Sequence, residues 1–322
     1  MPTQLRPLDS AIVPRFSDVA TFMRTPRRDS LDGVDIALVG VPFDMGSTNR
    51  AGPRHGPAQI REMSRLIRQV NPSTHIAPFD LCNVADYGDA PVNPLDPQGS
   101  IDRIADFYNV ISAAGVRPIS AGGDHTVVLP ILRGIASREH PVSVVHFDAH
   151  ADTMDELLGS KINHATPFRR AHEEGLLVPE KVIQIGLRGT RYSDEDIQYG
   201  YDAGFRIVTM DDFEEMGRAA VIEAIKETVG SGPTYITFDI DGLDPIYCPG
   251  TGAPEPGGLF MRDVQVILRA LSMAKIDIVG GDVCEVAPAL DQAGHTALNA
   301  ANIMFEMLCG VAASIDRLRA TQ

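Results

Sequence analysis

Carboxylates and imidazoles recur at every second position in two short stretches of this chain. His146-Phe147-Asp148-Ala149-His150-Ala151-Asp152 carries Asp148, His150 and Asp152, and Phe238-Asp239-Ile240-Asp241-Gly242-Leu243-Asp244-Pro245 carries Asp239 and Asp241. Alternate side chains of an extended backbone point the same way, so each stretch is expected to aim its ligand-type groups at one spot. His125, in Gly122-Gly123-Asp124-His125-Thr126, completes a set of four carboxylates and two imidazoles. Their negative charge balances two divalent cations, which is the donor set of a two-metal hydrolytic centre. Oxygen-rich sites with a minority of imidazoles favour Mn²⁺, with Fe²⁺, Ni²⁺, Co²⁺ or Zn²⁺ also compatible. Paired ions lower the pKa of a water between them from about 16 towards 7, the help needed by electrophiles that resist attack, a resonance-stabilised guanidinium carbon being one example.

A single aspartate after a strand is more often a helix cap or turn residue than a ligand. Asp124 and Asp244 fit that description and are read as turn or supporting residues. Three clusters that each follow an apolar run and sum to a balanced donor set invert those odds.

The elements that must carry these clusters alternate between two periods. Strand-like apolar runs fall at 34–42, 117–121, 142–148, 182–186, 206–210, 234–239 and 276–280. Between them, 56–69 reads as a helix with Ile60, Met63, Ile67 and Val70 on one face. Ser100 is the expected N-cap of a helix closed by Gly115, and further helices are expected at 211–229, 262–274 and 297–318. Strand alternating with helix implies a three-layer α/β/α domain around a mostly parallel sheet of about eight strands. In such sheets ligands bind beyond the carboxyl ends of the strands, where all three clusters fall. Residues 1–30 read as an irregular arm that packs on a neighbouring subunit, and 31–322 as one catalytic domain.

The chain has 322 residues, 44% of them apolar and 22% charged, which fits a globular protein with a substantial core. A formal net charge of −15 argues against nucleic acid or an anionic membrane as partner and suits metal ions or a cationic group. The four cysteines show no Cys-x-x-Cys pair, so a reducing compartment is expected. The N-terminus lacks the apolar core of a signal peptide, and no run is read as a membrane span, so a cytoplasmic location is expected.

The segments GGDHT, DAHAD and DIDGLDP, in this order, resemble the three metal-binding signatures of the ureohydrolase (arginase/agmatinase) family. The resemblance runs from Gly40-Val41-Pro42-Phe43-Asp44 to the C-terminal helix and is strongest to bacterial agmatinases and guanidino-acid hydrolases. Pro14-Arg15-Phe16, Asn49-Arg50-Ala51-Gly52 and Gly88-Asp89-Ala90-Pro91-Val92-Asn93 look most like the guanidinopropionase branch. It implies an arginase-like fold and hydrolysis of a guanidino compound to urea and an amine. One Mn²⁺ would be held by His125, Asp148, Asp152 and Asp239, the other by Asp148, His150, Asp239 and Asp241. Asp152 would also accept a hydrogen bond from the attacking water. His164 matches the proton-shuttling histidine and Glu285 the carboxylate that grips the guanidinium. Trimers or hexamers are implied as well.

Departures from the pattern bear on the substrate. Ala165 replaces the usual glycine after His164, and Ile162 stands near where guanidinopropionases tend to carry an aromatic. In the tail-shaping loop, Lys161 could pair with a substrate carboxylate, while Asp155 or Glu156 could attract an amine; solvent is the commoner destination for each. Short guanidino acids (3-guanidinopropanoate or 4-guanidinobutanoate) are the preferred substrates, with agmatine or an alkylguanidine as alternatives. A two-metal phosphoesterase would carry a Gly-Asn-His-Asp-type segment and an arginine cluster, and neither is present. A deacetylase-type amide hydrolase would share the fold but expects one metal and a catalytic tyrosine. A silent partner-binding subunit would have lost a ligand, and all six remain.

Overall fold

A computed structural model describes residues 4–321. Eight strands build one sheet: β1 (Ile36–Gly40), β2 (Val84–Asp89), β3 (Arg117–Ala121), β4 (Val142–Phe147), β5 (Leu177–Leu187), β6 (Arg206–Thr209), β7 (Pro233–Asp239) and β8 (Asp277–Cys284). Nine helices accompany them among the described residues: α1 (Gly56–Ser64), α2 (Pro78–Leu81), α3 (Pro97–Ala113), α4 (Val128–Ile135), α5 (Pro167–Glu173), α6 (Glu195–Ala203), α7 (Met210–Val229), α8 (Met261–Met273) and α9 (His295–Ala320).

Every strand pair is parallel, in the order β2-β1-β3-β8-β7-β4-β5-β6. Period-2 alternation divides each central strand between two cores. In β1, Ile36 and Leu38 face the core shared with α8 and α9, while Ala37 and Val39 face the one shared with α3 and α4. This is the three-layer arrangement expected, and it puts the ends of β3, β8, β7 and β4 side by side.

Some elements depart from their sequence reading. Strand β2 had no apolar signal, because Asp86 and Asp89 interrupt it. It is an edge strand held by an ion pair, with Arg61 Nε 2.9 Å from Asp86 and its Nη1 2.7 Å from Asp89. Asp96, not Ser100, caps α3: its carboxylate accepts from Gly99 N at 3.0 Å, and Pro97 takes the first helical position. Ser100 instead lies buried in the first turn, its hydroxyl donating to Asp96 O at 2.8 Å. Helix α1 stops at Ser64, five residues short of Gln69, as its last turn tightens into i+3 bonds from Leu66 and Ile67. Helix α7 is broken at Gly217, where φ is +74°.

The inner part of the N-terminal arm packs on its own chain. Phe22 is buried, and Met23 N donates to Ser64 Oγ at 2.8 Å. Helix α9, at 26 residues, does have the length and apolarity of a membrane span, contrary to the sequence reading. Most of its apolar window, 83%, is buried, and it packs on α8 and β8 as a core helix. All four cysteines are free and buried.

Candidate metal centre

Four neighbouring strand ends converge on one point. His125 follows β3 after a Gly-Gly turn, Glu285 follows β8, Asp239 ends β7, and Asp148 follows β4. The turn before His125 needs glycine, since a Cβ on Gly123 would sit 1.6 Å from Phe43 O.

Simple alternation does not explain the whole convergence. Asp152 adopts a left-handed backbone at φ +54°, and Asp241 lies in a short 3₁₀ turn, Ile240–Gly242. Glu285 is left-handed as well, at φ +62°. Such backbones cost roughly 1–3 kcal/mol each and persist where the surroundings fix them. Turns, not an extended chain, thus bring these groups to the centre.

All six expected ligand residues meet there. His125 Nδ1 is 2.9 Å from Asp152, 3.0 Å from Asp148 Oδ2 and 3.4 Å from Asp239. On the other side, His150 Nδ1 is 3.3 Å from both Asp148 Oδ1 and Asp241 Oδ2. Asp148 therefore offers one oxygen to each half.

The donor set fits a pair of cations. His125 Nδ1 is buried without a well-directed hydrogen bond, although three carboxylates surround it. Burial drives Asp239 well above the usual carboxylate range, reinforced by the charges of Asp241 and Asp148. Burial likewise raises Asp241 to about 6, partly offset by His150. Asp148 stays well below its ordinary value against the penalty of burial, because the imidazoles of His125, His146 and His150 crowd its two oxygens. Buried charge of this density requires a counter-charge, and three groups have the spacing to hold an ion: Asp148-His150-Asp241, His125-His146-Asp148 and His125-Asp282-Cys284. His146 and Asp282 are engaged in hydrogen bonds with Asp148 and Thr237, which leaves His125, Asp148, His150 and Asp241 as the candidate ligands among them.

Supporting residues absent from the sequence reading orient the ligands. His125 Nε2 is 2.9 Å from Thr237 Oγ1, and that hydroxyl donates to the acceptor-only carboxylate of Asp282 at 3.0 Å. Thr237 must then accept from Nε2–H, which leaves Nδ1 bare for a metal. Arg188 spreads its guanidinium over the carbonyls of Gly186, Asp241, Gly242, Leu243, Glu255 and Pro256, tying the Asp241 turn to the cavity wall. Only strand parity hinted at Thr237, two residues before Asp239.

His146, in β4 just beneath the site, donates to Asp148 Oδ2 at 2.8 Å. Asp124 and Asp244 act as turn residues. Asp124 accepts from Gly46 N and Thr126 N, and Asp244 from Ile246, Gly257 and Gly258.

His164 and Glu285 sit beside the ligands. Glu285 Oε1 accepts from His125 N at 3.0 Å and lies 3.4 Å from His164 Nδ1. His164 Nε2 meets Thr48 Oγ1 at 2.9 Å. Burial opposes a charge on His164, but the hydrogen bond and charge of Glu285 outweigh it and raise the pKa to about 9.

These groups floor an open cavity of about 730 Å³, walled by Arg50, Met154, Leu157, Arg191, Tyr192 and Glu255 among others. Lys161 and Asp155 are not on that wall; they pair with each other at 3.6 Å, and Asp155 also binds Arg170 at 2.7 Å. Ile162 is partly buried against the hydrophobic core.

A parallel α/β/α sheet with this acidic, histidine-bearing crevice defines a hydrolase of the metal-dependent amidinohydrolase class. The chain belongs to the arginase family, whose model matches residues 34–310. It is 49% identical to the guanidinopropionase of Pseudomonas aeruginosa over 97% of this chain and 98% of that protein. It is 46% identical to the mitochondrial agmatinase of Gallus gallus, covering 94% and 88%. Among solved structures, proclavaminate amidino hydrolase from Streptomyces clavuligerus superposes with a TM-score of 0.89 at 38% identity, covering 94% of this chain and 99% of that one.

Proposed function

We propose that this protein hydrolyses a short guanidino acid, 3-guanidinopropanoate or 4-guanidinobutanoate, to urea and the corresponding amino acid. Two Mn²⁺ ions are the intended cofactor. His125, Asp148, Asp152 and Asp239 would hold one, and Asp148, His150, Asp239 and Asp241 the other. When bound, such a pair supplies Lewis-acid activation of water at neutral pH. Catalytic roles fall to Asp152, Glu285 and His164. Asp152 orients the water through a carboxylate oxygen. Glu285 grips the guanidinium: Oε1 is partly engaged by His125 N–H, and Oε2 faces Gly252, whose added Cβ would lie 3.6 Å away. His164 carries a proton that the departing nitrogen needs; Nδ1 faces Glu285, so the mobile proton is the one at Nε2 beside Thr48.

The observation that carries the choice of substrate is Arg50. It lines the cavity and forms no ion pair among the described residues. The other cations of the wall are spent, Arg188 on carbonyls and Arg191 on Asp194 at 3.2 Å. A free guanidinium suits the carboxylate at the far end of an acid. Agmatine is the second reading, favoured by Asp211 and Glu255 on the same wall. The reading includes residues 31–322 as one catalytic domain, a cytoplasmic location, and assembly into trimers or hexamers through exposed arm residues such as Ile12, Phe16 and Val19.

The test is a urea-release screen over both acids, agmatine, arginine and alkylguanidines, with Mn²⁺ and Ni²⁺ supplied separately, on wild type and Arg50→Met. The acids should be preferred, and R50M should raise their KM at least tenfold with little change for alkylguanidines. A higher kcat/KM for agmatine than for either acid would overturn the proposal.

A further inference from the structure

Beneath Asp148 lies a chain of three groups whose proton positions are fixed by chemistry alone. Gln184 Nε2 is 2.7 Å from Ala151 O and 2.9 Å from His146 Nδ1. A carbonyl oxygen only accepts, so the Gln184 atom facing it is the amide NH₂. That same NH₂ faces Nδ1, which must therefore accept. The imidazole proton is left on Nε2, 2.8 Å from Asp148 Oδ2, where it can only be donated. Both His146 and Gln184 are fully buried, and the Phe168 ring lies 4.0 Å from the imidazole, so neither side chain has another place to go.

This donation is made to the same oxygen that faces His125 Nδ1 at 3.0 Å, while the other oxygen, Oδ1, accepts His150 N at 2.6 Å. The carboxylate plane of Asp148 is thus pinned from both ends, with one oxygen presented to each half of the centre.

We propose that Gln184 and His146 are a positioning pair that locks Asp148 so that both cation positions exist before any cation arrives. The proposal rests on the reading of Asp148 as the shared ligand. It assigns the pair no contact with substrate. Its effect is on cation affinity, and because Asp148 serves both halves, losing the lock weakens both positions together.

The test compares wild type with His146→Leu, His146→Gln and Gln184→Glu. Leucine keeps an apolar filling beside Phe168 but offers no donor. Glutamine carries an N–H about as far from Cα as Nε2. A buried glutamate at 184 keeps its own proton to donate to Ala151 O and accepts with its other oxygen, which moves the ring proton to Nδ1 and leaves Nε2 bare against Asp148. Mn²⁺ stoichiometry and affinity are read by chelator competition, melting is followed on metal-free protein, and ¹⁵N NMR reports the His146 tautomer in metal-free wild type.

The expected result is a 10–100-fold loss of affinity at both positions in H146L and Q184E, with recovery in H146Q and an Nε2–H tautomer in wild type. Wild-type affinity in H146L, or an Nδ1–H tautomer, overturns the proposal. If H146L does not fold, Q184E and H146Q make the same comparison. Failure of wild type itself to take up two Mn²⁺ would overturn the underlying ligand reading instead, and the tautomer measurement separates the two cases.

Discussion

The backbone N–H of His125 donates to the side chain of Glu285 at 3.0 Å, across the junction of β3 and β8. The turn that bears the candidate ligand His125 and the proposed substrate-gripping carboxylate are therefore one unit. Moving either shifts the other, and the left-handed backbone at Glu285 is what lets its side chain turn back over the crevice.

The Asp282–Thr237–His125 relay predicts a specific outcome for Thr237→Val. The isostere removes the acceptor of His125 Nε2–H, so the tautomer is no longer fixed. Mn²⁺ affinity, read by chelator competition, should fall about 10–100-fold. Thr237→Ser keeps the hydroxyl and should stay within a few fold of wild type.

Replacing His164 by Asn should lower kcat about 10²–10⁴-fold while two ions per chain are still bound, as elemental analysis would show. The pKa of about 9 gives a pH dependence. Because it is raised from the ordinary 6.5, the stabilisation from the His164–Glu285 contact is complete below pH 6.5 and lost as pH rises through 9. Activity that needs the imidazolium should fall over the same upper range, and in Glu285→Gln the His164 titration, followed by NMR and not by activity, should move to lower pH.

Removing the cations should reverse the pH response of stability. In the metal-free chain, burial and the charge of Glu285 raise Asp124 to about 7, and burial raises Asp241 to about 6. The folded state then binds more protons than the unfolded one, so stability falls as pH rises from 5 to 7. With ions present at a thousand times their Kd, about 4 kcal/mol of stability returns, and acid should instead displace the ions. Melting temperatures across pH 5–8, with and without EDTA, would show opposite slopes.

Gly123→Ala should cost at least 1–3 kcal/mol in denaturant unfolding, because the new methyl would meet Phe43 O at 1.6 Å. The neighbour is backbone and cannot swing aside. The same change at Gly33, where nothing lies within 4 Å of the added Cβ, has only its left-handed backbone against it and should cost less.

The candidate ligand residues could be picked out in the chain because they cluster in short segments, although turns and not the expected alternation bring Asp152 and Asp241 inward. DAHAD and DIDG announced their aspartates, and the apolar runs located seven of the eight strands. The Asp-Pro that opens α3 was also a local signal, overshadowed by Ser100. Other features depend on strand order, which no local pattern encodes. Strands β7 and β8 insert between β3 and β4, so residues 125, 148, 239 and 285 become neighbours. Only that insertion puts Thr237 and Asp282 beneath His125, and only the β4–β5 pairing sets Gln184 against His146. The edge strand β2 was silent because its apolar part is only Val84 and Ala85, which pack into the two cores, before Asp86 and Asp89 interrupt it to pair with Arg61. The tail wall was decided in the same way, as Lys161 folds back on Asp155 and leaves Arg50, far away in sequence, facing the cavity.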